Sequence, residues 1–303
     1  MGYVPNSAAR GLRGTRTGTI GLIVPDMTNP FYTTLAHGVE TAARKAGITM
    51  ILANSDEHDA EEQRLVGMLI SKQVDGLLVA PARTGVNVMR LCRQRGIDLV
   101  FVARQPKEGG RADVVRADAE GGGYALGRHL VALGHVDSAV LAGPATVQGS
   151  EDRVGGFARA LAEAGAPAPA VYRRPGFTVE SGSAMAREAM RATPTPTAIF
   201  AANNFMAMGV LQALDEMGLR VPDDVSVVGF DDFPAAWLAF PFMTAAQQPA
   251  FELGRAALQM LLDRHAHPDR PPRELVLETE LLIRRSTAPP QPSRVTGLVT
   301  AAM

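Results

Sequence analysis

A single cysteine, Cys92, excludes an intramolecular disulfide and fits a reducing compartment. It stands with Val88, Leu91 and Arg95 at helical spacing, which makes it a packing residue. Long apolar runs are also missing. No stretch approaches the ~20 apolar residues of a bilayer-spanning helix, and the first twenty residues hold no apolar segment of signal-peptide length. A soluble, cytoplasmic protein without a membrane partner is expected. Nor is there an excess of either charge: the formal net charge is -1. Affinity for nucleic acid must therefore come from a local patch, and residues 1–17 supply one, with Arg10, Arg13 and Arg16 and no acid.

Catalytic signatures are absent as well. The sequence has no Walker loop, no G-x-S-x-G elbow and no H-E-x-x-H. The glycine cluster at 121–127 lacks G-x-G-x-x-G spacing and does not open the first βα unit, so it is a poor dinucleotide loop. The six histidines are scattered, and His265 and His267, just before Pro268, read as a surface turn. No catalytic residue, metal site or cofactor is expected, and no enzyme.

What the chain does have is 303 residues, comfortable for two domains, and a repeating pattern. Short apolar runs at 20–24, 49–53, 76–80, 99–103 and 114–116 alternate with amphipathic segments. A second series follows at 139–142, 171–173, 198–201 and 225–230. Continuous apolar runs suit strands covered on both faces. The fold class expected is α/β, two doubly wound parallel-sheet lobes facing a cleft. Beyond Asp232 the pattern changes: 242–248 is extended, 251–262 helical and 275–282 extended again. These pieces are too few for a third domain and are expected to complete the two lobes. The proline-rich tail from Ala288 onward lacks apolar heptads and is expected to be mobile.

Ligands of open α/β sheets bind at the carboxyl ends of strands, and several polar and aromatic residues fall there. Phe31 and Tyr32 follow the first strand; Arg153 and Phe177 belong to the second series; Asn203 and Asp231 end two further strands, with Trp237 beyond and Gln248 at the end of the extended 242–248 stretch. A sugar presents vicinal hydroxyls around a ring with apolar faces, so it needs a bidentate acceptor, a forked donor and flat aromatic walls. Asp231, Arg153 and one of Phe31, Tyr32 or Phe177 match those needs. Asn203 and Gln248 can each donate and accept at the rim. Trp237 is a third wall or a lobe cap, and Arg153 and Asp231 can alternatively pair with each other.

In this order the motifs resemble the effector-binding core of the LacI-type (LacI/GalR) transcriptional regulator family. The resemblance is carried by Asn29-Pro30-Phe31-Tyr32, Gly134-His135, Arg153 through Phe157, Ala202-Asn203-Asn204, the segment 221–232 ending in Asp231-Asp232, and Gln248-Pro249. Ahead of them, Tyr3, Pro5, Asn6, Ala9 and Leu12 match the family's hinge segment, whose leucine wedges into the DNA minor groove.

The resemblance implies a periplasmic-binding-protein-like (type I) fold joined by three crossovers, near His135, Gln247 and Pro271. The lobes expected from it are 18–135 with 248–271, and 136–247 with 272–288, flanked by a hinge remnant at 1–17 and a tail at 289–303. It further implies a small-molecule effector, a sugar or related metabolite, bound between the lobes, and a homodimer. Tyr3, Asn6, Ala9 and Leu12 would serve the DNA hinge, with operator DNA bound only when a helix-turn-helix headpiece precedes Tyr3. Together these describe the effector-binding and dimerisation core of a transcriptional regulator, most simply a repressor, that controls DNA binding allosterically. The alternative from another class is a free-standing periplasmic-type solute-binding protein.

Overall fold

The computed structural model describes residues 17–83, 85–105, 112–233 and 241–291. The chain divides into two compact units, 1–117 with 249–277 and 118–248 with 278–303. The hinge residues Tyr3, Asn6, Ala9 and Leu12, and also Trp237, lie outside the described residues.

The first unit is built on strands β1 (Thr19–Val24), β2 (Thr49–Asn54), β3 (Gly76–Val79), β4 (Asp98–Val102), β5 (Asp113–Ala117) and β11 (Glu274–Leu277). Their order is β11-β5-β4-β3-β1-β2, with every pairing parallel. Its helices are α1 (Pro30–Lys45), α2 (Asp59–Ser71), α3 (Val86–Arg95) and α8 (Ala250–Ala266). Alternate side chains of a strand face opposite ways, and β1 shows the consequence. Ile20, Leu22 and Val24 pack with Leu35 and Val39 of α1 and Leu253 of α8. Ile23 instead joins Leu65 and Leu69 of α2 and Val88 and Cys92 of α3. Cys92 is thus a core residue, as its spacing indicates.

The second unit repeats this plan with β6 (Ser138–Ala142), β7 (Ala170–Arg173), β8 (Ala198–Ala201), β9 (Ser226–Phe230), β10 (Thr244–Gln247) and β12 (Glu280–Leu282). The order is β12-β10-β9-β8-β6-β7, with only β12 antiparallel. One face carries α6 (Val179–Ala189) and α7 (Asn204–Glu216); the other carries α4 (Ala119–Ala132) and α5 (Gln148–Glu163). Both units are therefore doubly wound.

Two boundaries differ from the sequence expectation. The chain first changes unit at 117/118, not near His135. α4 follows β5 directly, and its Leu126 and Leu130 pack on Val140, Phe200 and Val228 of the second sheet. Amphipathic spacing shows that a helix buries a face without showing which sheet receives it. The return at 248/249 lies next to Gln247, whereas the third change falls at 277/278, beyond Pro271. The extended stretch 275–282 is in fact two strands, β11 in one sheet and β12 in the other.

The beginning of the tail is also held. Ser286 Oγ accepts from the Thr244 amide at 2.8 Å and donates to the Val227 carbonyl at 2.6 Å. The Ala288 carbonyl accepts from Ser226 Oγ and lies 2.9 Å from Nε2 of buried His135. Residues 292–303 lie outside the described part.

Candidate functional site

Each sheet reverses its strand order beside its first strand, β1 in one unit and β6 in the other. The carboxyl ends of neighbouring strands at such a point leave a crevice with helix N-termini around it. Helix caps mark this edge in both units. Asn29 accepts the Phe31 amide at the start of α1, where Pro30 occupies the first turn, and Asn203 accepts the Met206 amide at the start of α7.

In the second unit three of the expected residues, Asp231, Gln248 and Arg153, come together. Asp231 directly follows β9 and is buried, with a left-handed backbone at φ 65°. Aspartate and asparagine tolerate that conformation better than other non-glycine residues. Gln248, one residue past β10, is also buried and donates from Nε2 to both Asp231 carboxylate oxygens, at 3.0 and 2.9 Å. Arg153, from α5, donates to the Ala202 carbonyl at the end of β8, and its guanidinium carbon stands 3.9 Å from the centre of the Phe230 ring. Burial raises the Asp231 pKa above the usual carboxylate range, while the Arg153 charge and the Gln248 hydrogen bonds pull the other way. Asp231 and Arg153 are thus electrostatic partners, and the Phe230 face carries the cation.

Phe177, half-buried, precedes α6 and lies against Gly143, the residue after β6. A Cβ at Gly143 would sit 2.3 Å from the ring, so the glycine is what admits it. Asn203, read from sequence as a rim donor and acceptor, spends both ends of its amide locally. Its oxygen caps α7, and its nitrogen donates to the Phe177 carbonyl at 3.3 Å. Asn203 therefore ties the aromatic segment to α7. The two adjacent acids also part company: Asp232 forms a two-pronged pair with Arg284, at 2.6 Å on each oxygen, and braces the segment after β12.

In the first unit Phe31 and Tyr32 are buried in the α1–α8 core and meet edge to face, with centroids 5.0 Å apart. Sequence reasoning missed the polar hub beside them. Arg104, two residues past β4, makes a two-pronged pair with Glu57 at 2.8 and 2.7 Å, donates to the Pro81 and Ala82 carbonyls, and has its guanidinium 5.9 Å from the Tyr32 ring centre. Burial pulls the Arg104 pKa down, but Tyr32 and Glu57 together raise it above its ordinary value. Glu62 of α2 is buried close by and accepts the Ala82 amide at 2.7 Å; burial pushes its pKa up to about 7. Arg104 had one sequence signal, its place at a strand end. Glu57 and Glu62 had none, because their partners are distant in the chain.

Chemically, the second-unit cluster offers a fixed carboxylate, a planar cation and a side-chain amide in one place. That set matches the donors and acceptors of a hydroxylated ligand. No group of three or more His, Cys, Asp or Glu side chains able to hold a metal occurs among the described residues. Among those residues, too, no helix is long and apolar enough to cross a membrane.

Comparison with known proteins bears on the same regions. A family model described as a periplasmic binding protein-like domain matches residues 128–287. The chain is 34% identical over 288 residues to the HTH-type transcriptional repressor PurR of Photobacterium profundum, covering 94% of this chain and 86% of the relative. A LacI family transcriptional regulator from Enterococcus faecium, solved with bound ribose, superposes with a TM-score of 0.79 at 31% identity, covering 90% of this chain and 100% of that one. A complex of the transcriptional regulator CelR with cellobiose gives a TM-score of 0.80 at 32% identity, covering 92% of this chain and 88% of that one.

Proposed function

The chain belongs to the LacI family of transcriptional regulators, and from that premise we propose that it binds a small hydroxylated effector, a sugar or a close chemical relative, at the carboxyl-end cluster of its second unit. Arg153 supplies the forked donor and Asp231 the paired acceptor. Gln248 holds the Asp231 carboxylate. Phe177 is a flat wall that Asn203 orients. Phe31 and Tyr32 are the candidate aromatic contacts of the first unit.

The observation that carries this reading is the buried Asp231 carboxylate held by Gln248 within the field of Arg153, itself stacked on Phe230. Buried charge is costly unless its hydrogen bonds are completed, and ligand hydroxyls complete them. Relatives solved with ribose and with cellobiose favour a sugar over other metabolites.

The protein acts as a cytoplasmic homodimeric regulator rather than as an enzyme, and with a helix-turn-helix headpiece ahead of Tyr3 effector occupancy changes its affinity for operator DNA. Effector and DNA then alter each other's affinity by the same factor. Thermal-shift screening against pentoses, hexoses, disaccharides and purine bases tests the ligand class. A ligand at a hundred times its Kd adds roughly 2.7 kcal/mol of stability. Sedimentation at micromolar concentration tests the dimer, and a monomer there would count against it.

A further inference from the structure

The glycine run 121–123, unsuited to a nucleotide, has three separate close approaches in α4. A Cβ at Gly121 would lie 2.1 Å from Asp118 Oδ2, at Gly122 it would lie 2.9 Å from both the Phe230 ring and Thr279 Cγ2, and at Gly123 it would lie 2.2 Å from the Arg153 carbonyl oxygen. Each is closer than a Cβ contact allows, so a side chain would force its neighbour aside: the end of the Asp118 side chain at Gly121, packed side chains at Gly122 and backbone at Gly123. Each glycine therefore admits a different neighbour, and the neighbours form a chain.

That chain runs from the effector cluster to the crossovers. Arg153 stacks on Phe230; Phe230 and the Arg153 backbone rest on Gly122 and Gly123; Gly122 also rests on Thr279. Thr279 Oγ1 donates to the Asp118 carbonyl at 2.8 Å, and the Asp118 carboxylate caps α4 by accepting the Gly121 amide at 2.8 Å. Asp118 is the first residue after the 117/118 crossover, and Thr279 lies two residues past the 277/278 boundary.

We propose that Gly122 and Gly123 are positioning residues that tie the placement of Arg153 to these two crossover segments, so that α4's first turn reads the state of the effector cluster. The inference rests on the assignment of Arg153 as an effector contact and adds the route by which occupancy leaves the site. Close packing makes such a route effective, because the Phe230 ring is fully buried and lies against Gly122, so its displacement presses on α4. The buried ring and the glycine backbone leave α4 or Thr279 to move instead.

Hydrogen exchange on the full chain without ligand tests the connection. Arg153→Ala removes the stack from Phe230, and Gly122→Ala forces the ring or Thr279 aside. Both are expected to speed exchange of the Gly121 and Gly122 amides, and of the 277–282 peptide, by about tenfold or more. Helices α1, α7 and α8 should be unchanged. A purely structural glycine turn would not respond to Arg153, so a change confined to α5 in Arg153→Ala overturns the proposal. If Arg153→Ala loosens the whole second unit, Arg153→Lys decides: it keeps a cation but not the planar stack, so a local rise supports the route and no rise refutes it. The exchange pattern does not depend on an effector. Its presence beside an effector-insensitive cluster would fault only the ligand assignment, and its absence beside normal effector binding would fault only the route.

Discussion

One nitrogen of Gln248 donates to both carboxylate oxygens of Asp231, at 3.0 and 2.9 Å. The two residues end adjacent strands, β10 and β9, so the sheet register sets their approach. The carboxylate is thereby held in one orientation.

Effector affinity should rise with pH. Burial raises the Asp231 pKa in the free protein, against the Arg153 charge. Hydroxyls donating to the carboxylate favour its ionised form, so binding lowers its pKa and releases a proton wherever the free carboxyl is partly protonated. Affinity then falls as pH drops and Asp231 becomes protonated. Calorimetric titrations of the wild type in buffers of different ionisation enthalpy should show proton release at low pH that fades as pH rises.

Glu62 should make the protein less stable at high pH. Its pKa is raised by burial from 4.5 to about 7, so the folded state holds this proton more tightly than the unfolded chain. The stability it permits is intact below pH 4.5 and is lost as pH rises through about 7, by roughly 3 kcal/mol in all. Glu62→Gln keeps an acceptor for the Ala82 amide and removes the titration. The difference between wild type and this variant, followed by urea unfolding from pH 5 to pH 9, should therefore grow in the variant's favour. Parallel curves would show that Glu62 is not buried as a neutral acid.

Asp113 is the anchor of the first unit's edge. Its buried carboxylate takes two hydrogen bonds from Arg264 of α8, at 2.8 and 3.0 Å, and one from the Arg273 amide at 2.7 Å. Arg264→Ala removes the two-pronged partner of that buried carboxylate, leaving it the Arg273 amide and a guanidinium at 3.9 Å, and should cost about 3 kcal/mol, read as a lower unfolding midpoint. Arg255→Ala, from an exposed pair with Glu252 on the same helix, should change stability by less than about 1 kcal/mol.

The β1-to-β10 frame was legible because buried parallel strands leave continuous apolar runs, such as Leu77 to Val79 and Ile199 to Ala201. The proximity of Asp231 and Gln248 was legible because strand ends and a family pattern coincide there, and Arg153, on α5, was legible from the family pattern alone. The α4 boundary was not, since Leu126 and Leu130 would suit either sheet. Nor was the split of 275–282 into two strands, because local alternation says nothing about which sheet receives it. The Arg104–Glu57 pair spans residues far apart in sequence, and Glu62 reads as one more acid on a charged helix beside Asp59 and Glu61. Burial of a polar side chain is a tertiary fact.

Whether Asp231 and its neighbours hold the effector is decided by a thermal-shift comparison of wild type with Asp231→Asn. Asparagine also tolerates the left-handed backbone at φ 65°, so the variant removes the charge without imposing strain. Across one panel of sugars and purine bases, compounds that raise the wild-type midpoint should leave the variant's midpoint unmoved, while the two proteins share the same oligomeric state. A compound that stabilises both proteins equally would contradict the assignment.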